Sequence, residues 1–178
     1  GKTHALSATS IDKLITQLCS PVLNEGLLAA NETLYNHMVY GIAVTEFVNG
    51  NKATPTIAII DWHNIDNNDF CYTEEMVVSR ANGIDHRKPD IVCFVNGLPW
   101  VVIEAKRPDA QAHKGPTVEE GISQNIRKQQ MNESQRLFAY SQLLLSINGF
   151  EGRYGTCGTA AKFWAAWREE DFSDETMH

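Results

Sequence analysis

Two continuous apolar runs, Ile91-Val92-Cys93-Phe94-Val95 and Trp100-Val101-Val102-Ile103, constrain this chain more than any other feature. Strands buried on both faces read this way, and the intervening Asn96-Gly97-Leu98-Pro99 carries a turn signal, so the pair is expected to form a central hairpin. Charge enters only at the open end of that hairpin: Asp90 follows Pro89, and Glu104-Ala105-Lys106 closes the second run. Glu104 and Lys106 share a face because strand side chains alternate. Buried charge is costly unless it is paired. By themselves these two could simply neutralise one another where the strand meets solvent. Asp90, at the start of the partner strand, brings a second carboxylate to the same place.

Strand parity adds a condition. With a strict two-residue turn at Asn96-Gly97, Val95 faces Leu98 and Asp90 falls opposite Ile103, so Glu104 and Lys106 point away from it. An odd-length loop with Val95 opposite Pro99, or a β-bulge, puts Asp90 opposite Glu104 on the face of Val92 and Val102. Ile91, Cys93, Val101, Ile103 and Ala105 then line the other face. One of these two devices is expected.

Around the hairpin the pattern suggests a mixed central sheet covered by helices. Ile11, Leu14, Ile15 and Leu18 have helical spacing behind a Ser10 cap, ended by Ser20-Pro21. A second helix, capped by Asn31, carries Leu34, Tyr35 and Met38 and stops at Gly41. Residues 42–48 and 56–60 flank Asn49-Gly50-Asn51 and predict a hairpin; 61–69 read as polar loop, 71–79 as extended and 80–89 as an irregular connection. After a break at Pro108 and Gly115-Pro116, Val118, Ile122 and Ile126 predict a helix to Gln130. Residues 143–147 form a strand, Asn148-Gly149 turns the chain, and residues 153–156 pair back.

At 178 residues, 43% hydrophobic and 21% charged, the chain has the size and make-up of one globular domain. Its net charge of −7 argues against holding nucleic acid by bulk charge, yet residues 80–128 carry eight bases against six acids, so positive charge is local. Cys19, Cys71, Cys93 and Cys157 form no C-x-x-C pair and read as reduced thiols rather than disulfides or a zinc site. Neither a membrane span nor a secretory signal is present, so a cytoplasmic protein without membrane partners is expected.

Two carboxylates and an ammonium at the strand ends suit a metal-and-water site. Phosphodiester cleavage calls for a divalent cation that neutralises developing charge and activates water, and Mg²⁺ takes a few carboxylate oxygens while keeping waters. Asp90 and Glu104 supply oxygens, and the backbone carbonyl of Ala105 can add one. Lys106, beside two acids, stays protonated and suits orienting water or stabilising the transition state.

Pro89-Asp90 followed by Glu104-x-Lys106 resembles the motif of the PD-(D/E)xK nucleases, and the whole of residues 87–106 resembles the nuclease-domain signature of the motor (R) subunit of type I restriction-modification enzymes. Asn68-Asp69-Phe70, Leu137-Phe138-Ala139-Tyr140, Ser146-Ile147-Asn148-Gly149, Arg153-Tyr154-Gly155-Thr156 and Phe163-Trp164-x-x-Trp167 look like the same family, so the resemblance covers about residues 32–167. It implies an α/β, restriction-endonuclease-like fold, with a mixed central β-sheet flanked by helices. It also implies a Mg²⁺-dependent endonuclease domain, residues 1–178, that hydrolyses foreign double-stranded DNA. The partners implied are specificity and methylation subunits and a C-terminal helicase/translocase motor beyond residue 178, to which any need for ATP belongs.

By the same resemblance Asp90 and Glu104 are the metal-binding acids and Lys106 the catalytic lysine. The family's helical glutamine, often in Gln-x-x-x-Tyr, falls on Gln124. Lys128 stands where the tyrosine is expected, one turn along the same face, and a cation there could contact phosphate. Gln124 and Lys128 could equally belong to a solvated helix face. Ala105 replaces the usual leucine, a packing variation. Glu32 is a further metal candidate on an early helix, although an acid just after a cap is favoured by the helix dipole without any metal. Arg87, Lys88, Arg107, Arg127 and Lys128 are the candidate DNA-binding cations, with His86, Arg87 and Lys88 open to pairing with acids instead. Two other readings stay open: a nuclease-like docking or DNA-binding module without activity, favoured only by the missing tyrosine, and a nuclease of the same fold from another context.

Overall fold

The computed structural model describes residues 6–107 and 117–168, and the expected break at Pro108 and Gly115-Pro116 lies outside them. Helix α1 (Ala8–Cys19) starts before Ser10: the cap is Ser7, whose hydroxyl accepts the Ser10 N–H at 3.3 Å, while Ser10 is buried inside the helix. Helix α2 (Leu27–Tyr40) begins after Gly26, because Leu27, Leu28, Ala29 and Ala30 are strong helix formers that outweigh the capping preference of Asn31. Asn31 works elsewhere, donating from Nδ2 to the carbonyls of Phe138, Ala139 and Ser141 at 3.0–3.1 Å. Gly41 does end α2, at φ 80°, where an added Cβ would lie 2.5 Å from the Ile57 carbonyl oxygen.

The hairpin expected after α2 is present but broken into two ribbons. β1 (Ile42–Ala43) pairs with β4 (Thr56–Ile57), and β2 (Glu46–Val48) with β3 (Asn51–Ala53) around Asn49-Gly50. The break falls where Val44 N–H reaches the carbonyl of Pro55, a residue with no N–H to continue the ladder. The polar loop that follows contains only a single 3₁₀ turn, Ile65–Asn67. β5 (Phe70–Glu74) is followed by a ribbon of β6 (Val78–Ser79) and β7 (His86–Arg87), so residues 80–89 are less irregular than expected. Then come β8 (Ile91–Val95), β9 (Leu98–Ala105), α3 (Val118–Lys128), α4 (Gln135–Tyr140), β10 (Leu143–Ile147), β11 (Gly152–Gly155) and β12 (Ala165–Ala166).

The central sheet is mixed, with order β12-β11-β10-β9-β8-β5; β9 and β10 run parallel and its other neighbours antiparallel. A parallel pair needs a long crossover, and α3 and α4 lie within it. The buried apolar side chains of α3, Val118 and Ile122, pack with Val92, Val102, Leu144, Phe138 and Trp164 on one face of the sheet. Ile91, Cys93, Val101, Ile103, Leu145 and Ile147, on the opposite face, are half-buried. At the turn end, Ala30, Leu34 and Met38 of α2 meet Val95 and Ala139 in a second cluster. All four cysteines are free, and no helix among the described residues is long and apolar enough to cross a membrane.

Candidate active site

The site begins with the register of β8 and β9. Their turn is the two-residue kind, with Asn96 and Gly97 both left-handed at φ 51° and 77°, as Asn-Gly favours. Val95 therefore pairs with Leu98, not Pro99. Parity is restored further along: Phe94 pairs with Pro99 but Cys93 with Val101, leaving Trp100 as the extra residue of a β-bulge. Beyond it Ile91 pairs with Ile103, which sets Asp90 opposite Glu104. The bulge is held in place by the Trp100 ring, packed edge-on to Trp62 with centroids 5.5 Å apart, and by its carbonyl, which accepts the Gln142 N–H at 2.8 Å.

Five side chains, Asp90, Glu104, Lys106, Gln124 and Lys128, converge at this end of the strands. Asp90 Oδ2 accepts the Ala105 N–H at 2.7 Å, tying the two strand ends together. Lys106 Nζ lies 3.8 Å from Asp90 Oδ2 and 3.8 Å from Glu104 Oε2, and donates to Gln124 Oε1 at 2.7 Å. Gln124 in turn donates to Glu120 Oε1 at 3.4 Å. Lys128 Nζ donates to Glu104 Oε1. Glu120, Gln124 and Lys128 are spaced one turn apart along α3, so a single ridge of that helix faces the strand ends. Gly121 permits the approach, since a Cβ there would come within 2.1 Å of Ser146 Oγ and 3.4 Å of Glu104 Cβ.

Glu104 is only 1% exposed, whereas the Asp90 side chain is 39% exposed, so the site is open on the Asp90 side and closed on the other. Burial holds the Glu104 carboxyl above the usual carboxylate range; the Lys128 ammonium and its hydrogen bond, and more weakly Lys106, pull the other way, while Asp90 adds to the rise. The donor set suits a hard cation: one carboxylate from each strand, with the Ala105 carbonyl as a possible third oxygen. Among the described residues no group of three or more His, Cys, Asp or Glu side chains comes together.

Asp90, Glu104, Lys106 and Gln124 are thus brought together, but other candidates are not. Glu32 is exposed on α2 and does not join Asp90 and Glu104, because α2 packs on α4 rather than on the strand ends. Lys128 is 5% exposed and committed to Glu104, so it is an internal counter-ion and not a surface cation for DNA. Arg87 grips the buried Glu133 from Nε at 2.7 Å and from a terminal nitrogen at 2.8 Å, the acid-paired alternative, with Arg80 3.3 Å from the same carboxylate. Lys88 is exposed, 4.0 Å from Glu75, and Arg107 and Arg127 are exposed beyond β9 and in the last turn of α3. Ser146 and Gly121 escape sequence reasoning. Ser146 is wholly buried, pairs with Glu104 across the parallel strands and donates to the Val118 carbonyl at 2.7 Å, fixing the start of α3.

Fold and site together define a mixed α/β domain with an acid-acid-lysine centre at the ends of its central strands, roofed by one helix. The chain belongs to the family described as the type I restriction enzyme R protein N terminus, whose family model matches residues 2–163. It is 28% identical over 151 residues to the putative type I restriction enzyme MjaIXP endonuclease subunit of Methanocaldococcus jannaschii, covering 84% of this chain and 13% of that protein. Against the type I restriction enzyme HindI endonuclease subunit of Haemophilus influenzae it is 25% identical over 166 residues, 93% of this chain and 15% of the relative. A second M. jannaschii protein, the putative MjaVIIIP endonuclease subunit, is 31% identical over 145 residues, with 80% and 13% covered. The chain therefore spans only a small part of the length of the relatives it matches.

Proposed function

We propose that this chain is the endonuclease domain of a type I restriction R subunit, with the PD-(D/E)xK nuclease fold, and that it hydrolyses phosphodiester bonds in foreign double-stranded DNA. The observation that carries the reading is the bulge at Trp100, which sets Asp90 opposite Glu104 and so gathers both acids with Lys106 and Gln124. Asp90, Glu104 and the Ala105 carbonyl would hold Mg²⁺, which supplies charge neutralisation and an activated water when bound. Lys106 is aimed between the two acids and stabilises charge on the reacting phosphate or orients water. Gln124 is a positioning residue that fixes the Lys106 ammonium through one hydrogen bond. Arg107, Arg127 and Lys88 are exposed cations able to meet the DNA backbone. The domain would work in the cytoplasm with specificity and methylation subunits and an ATP-driven motor, to which the relatives' greater length lends support.

In the complete restriction complex, Asp90→Ala, Glu104→Ala or Lys106→Ala is expected to abolish plasmid cleavage while ATP hydrolysis continues. Melting curves accompany the assay, and continued cleavage by a folded Glu104→Ala protein would overturn the proposal. A second reading, a nuclease-like module that does not cut, draws on Lys128 neutralising Glu104. It requires the unaltered complex to leave plasmid intact under the same conditions.

A further inference from the structure

We infer that Lys128 leaves this centre electrically balanced, so that it retains one divalent cation firmly only when a DNA phosphate is present to share it. The inference rests on the metal-dependent nuclease reading and deepens it, by assigning to Lys128 the control of when the cation is held.

Among the described residues, the charges gathered at the strand ends are Asp90 and Glu104 against Lys106 and Lys128, two of each sign. Glu120 lies beyond Gln124 on the exposed side of α3, where solvent screens its charge. Lys128 cannot be discounted in the same way, because its side chain is 6% exposed and its ammonium sits on a carboxylate that is 2% exposed. A dication approaching a balanced cluster gains little net attraction, and the effect is greatest where water is excluded. A phosphate oxygen restores the missing negative charge from the open Asp90 side.

The oxygens point the same way. Glu104 Oε1 is occupied by Lys128 and Asp90 Oδ2 by the Ala105 N–H. Each carboxylate therefore has one oxygen less engaged, Glu104 Oε2 and Asp90 Oδ1, enough to share a single cation and not to build two sites. Beyond these oxygens and the Ala105 carbonyl, the remaining ligands are waters and phosphate. Linkage makes the effect reciprocal: whatever factor DNA adds to cation affinity, the cation adds to DNA affinity.

The test uses Mn²⁺ as probe, with binding to the 178-residue chain followed by loss of the free-ion electron paramagnetic resonance signal, with and without a hydrolysis-resistant phosphorothioate duplex. The unaltered chain should bind Mn²⁺ weakly alone and more tightly with the duplex. Lys128→Gln, which removes the charge but keeps an N–H donor for Glu104, should tighten binding without duplex by roughly tenfold or more, and the duplex should then add less. Lys128→Met serves if the glutamine variant does not fold, with melting curves as the check. Equal affinity with and without duplex, or a Lys128→Gln chain that binds no better or worse, overturns the inference. In that case binding abolished by Asp90→Asn leaves the metal reading standing. If no variant binds Mn²⁺ under any condition, the metal reading falls and the inference with it.

Discussion

Gly121→Ala places a methyl group in the closest helix-to-sheet approach of the site. The new Cβ would lie 2.1 Å from Ser146 Oγ and 3.1 Å from Ser146 Cβ. In a helix free of such contacts this change would stabilise by about 1 kcal/mol. Here Ser146 cannot simply turn aside, because it is fully buried and its hydroxyl holds the Val118 carbonyl at 2.7 Å. Either α3 lifts off the sheet or that bond breaks; overpacking costs about 1–3 kcal/mol, and the lost hydrogen bond about 1 kcal/mol, the Val118 carbonyl keeping its place in the helical ladder of α3. Set against the helix-propensity gain, the net expectation is a loss of up to about 2 kcal/mol, read as a lower urea midpoint with an unchanged slope. Ser146→Ala alone should cost about 1 kcal/mol for the lost hydrogen bond. The double variant should be more stable than the two losses predict by about 1 kcal/mol or more, since the shortest clash is gone. Strict additivity, or a Gly121→Ala chain more stable than the original, would refute the packing argument.

The Glu133 carboxyl is held below the usual range, first by its hydrogen bond from Arg87 and then by the nearby Arg87, Arg80 and Arg127 charges, against the cost of burial. A lowered folded value means the stabilisation is complete above the unfolded value of about 4.3 and is lost as pH falls through the folded value; Glu133→Gln should therefore lower Tm at pH 7 and flatten the acid limb, and an unchanged acid limb would refute this. Burial pushes the Cys157 thiol up to about 11, so a thiol reagent at pH 8 should label exposed Cys19 and Cys71 in the folded chain and reach Cys157 only in denaturant. Rapid labelling of Cys157 would show that site to be open.

The hairpin and its charged end are legible in sequence because apolar strands bordered by lone charges have few ways to fold. The parity condition even demands a bulge or a longer loop, but nothing local distinguishes them. The choice depends on Trp62 and Gln142, distant in sequence, which hold Trp100 out of register. Helix α4 has six residues, too few to show a period, and β12 has two. Asn31 has the profile of a cap, but tertiary contacts with the end of α4 claim its amide. Lys128 follows Gln124 on the same face at any level of reading; whether that face meets solvent or a carboxylate depends on how closely α3 approaches, which Gly121 and Ser146 decide.

The two halves of the site also differ in how much chain must close to make them. Asp90 reaches the Ala105 N–H across 15 positions of a hairpin with a two-residue turn, a contact among the fast events of folding. Lys128 meets Glu104 across 24 positions, and its helix is anchored by Ser146 on β10, whose parallel pairing with β9 must wait for the whole crossover. In folding, the acidic hairpin can close before its counter-ion helix docks. For that interval Glu104 is a hydrated carboxylate at a strand end, and the docking of α3 is the step that dehydrates it and supplies its cation together. Assembly of the centre is thus tied to closure of the crossover, so a chain that stalls before that point carries the acids without the helix that organises them.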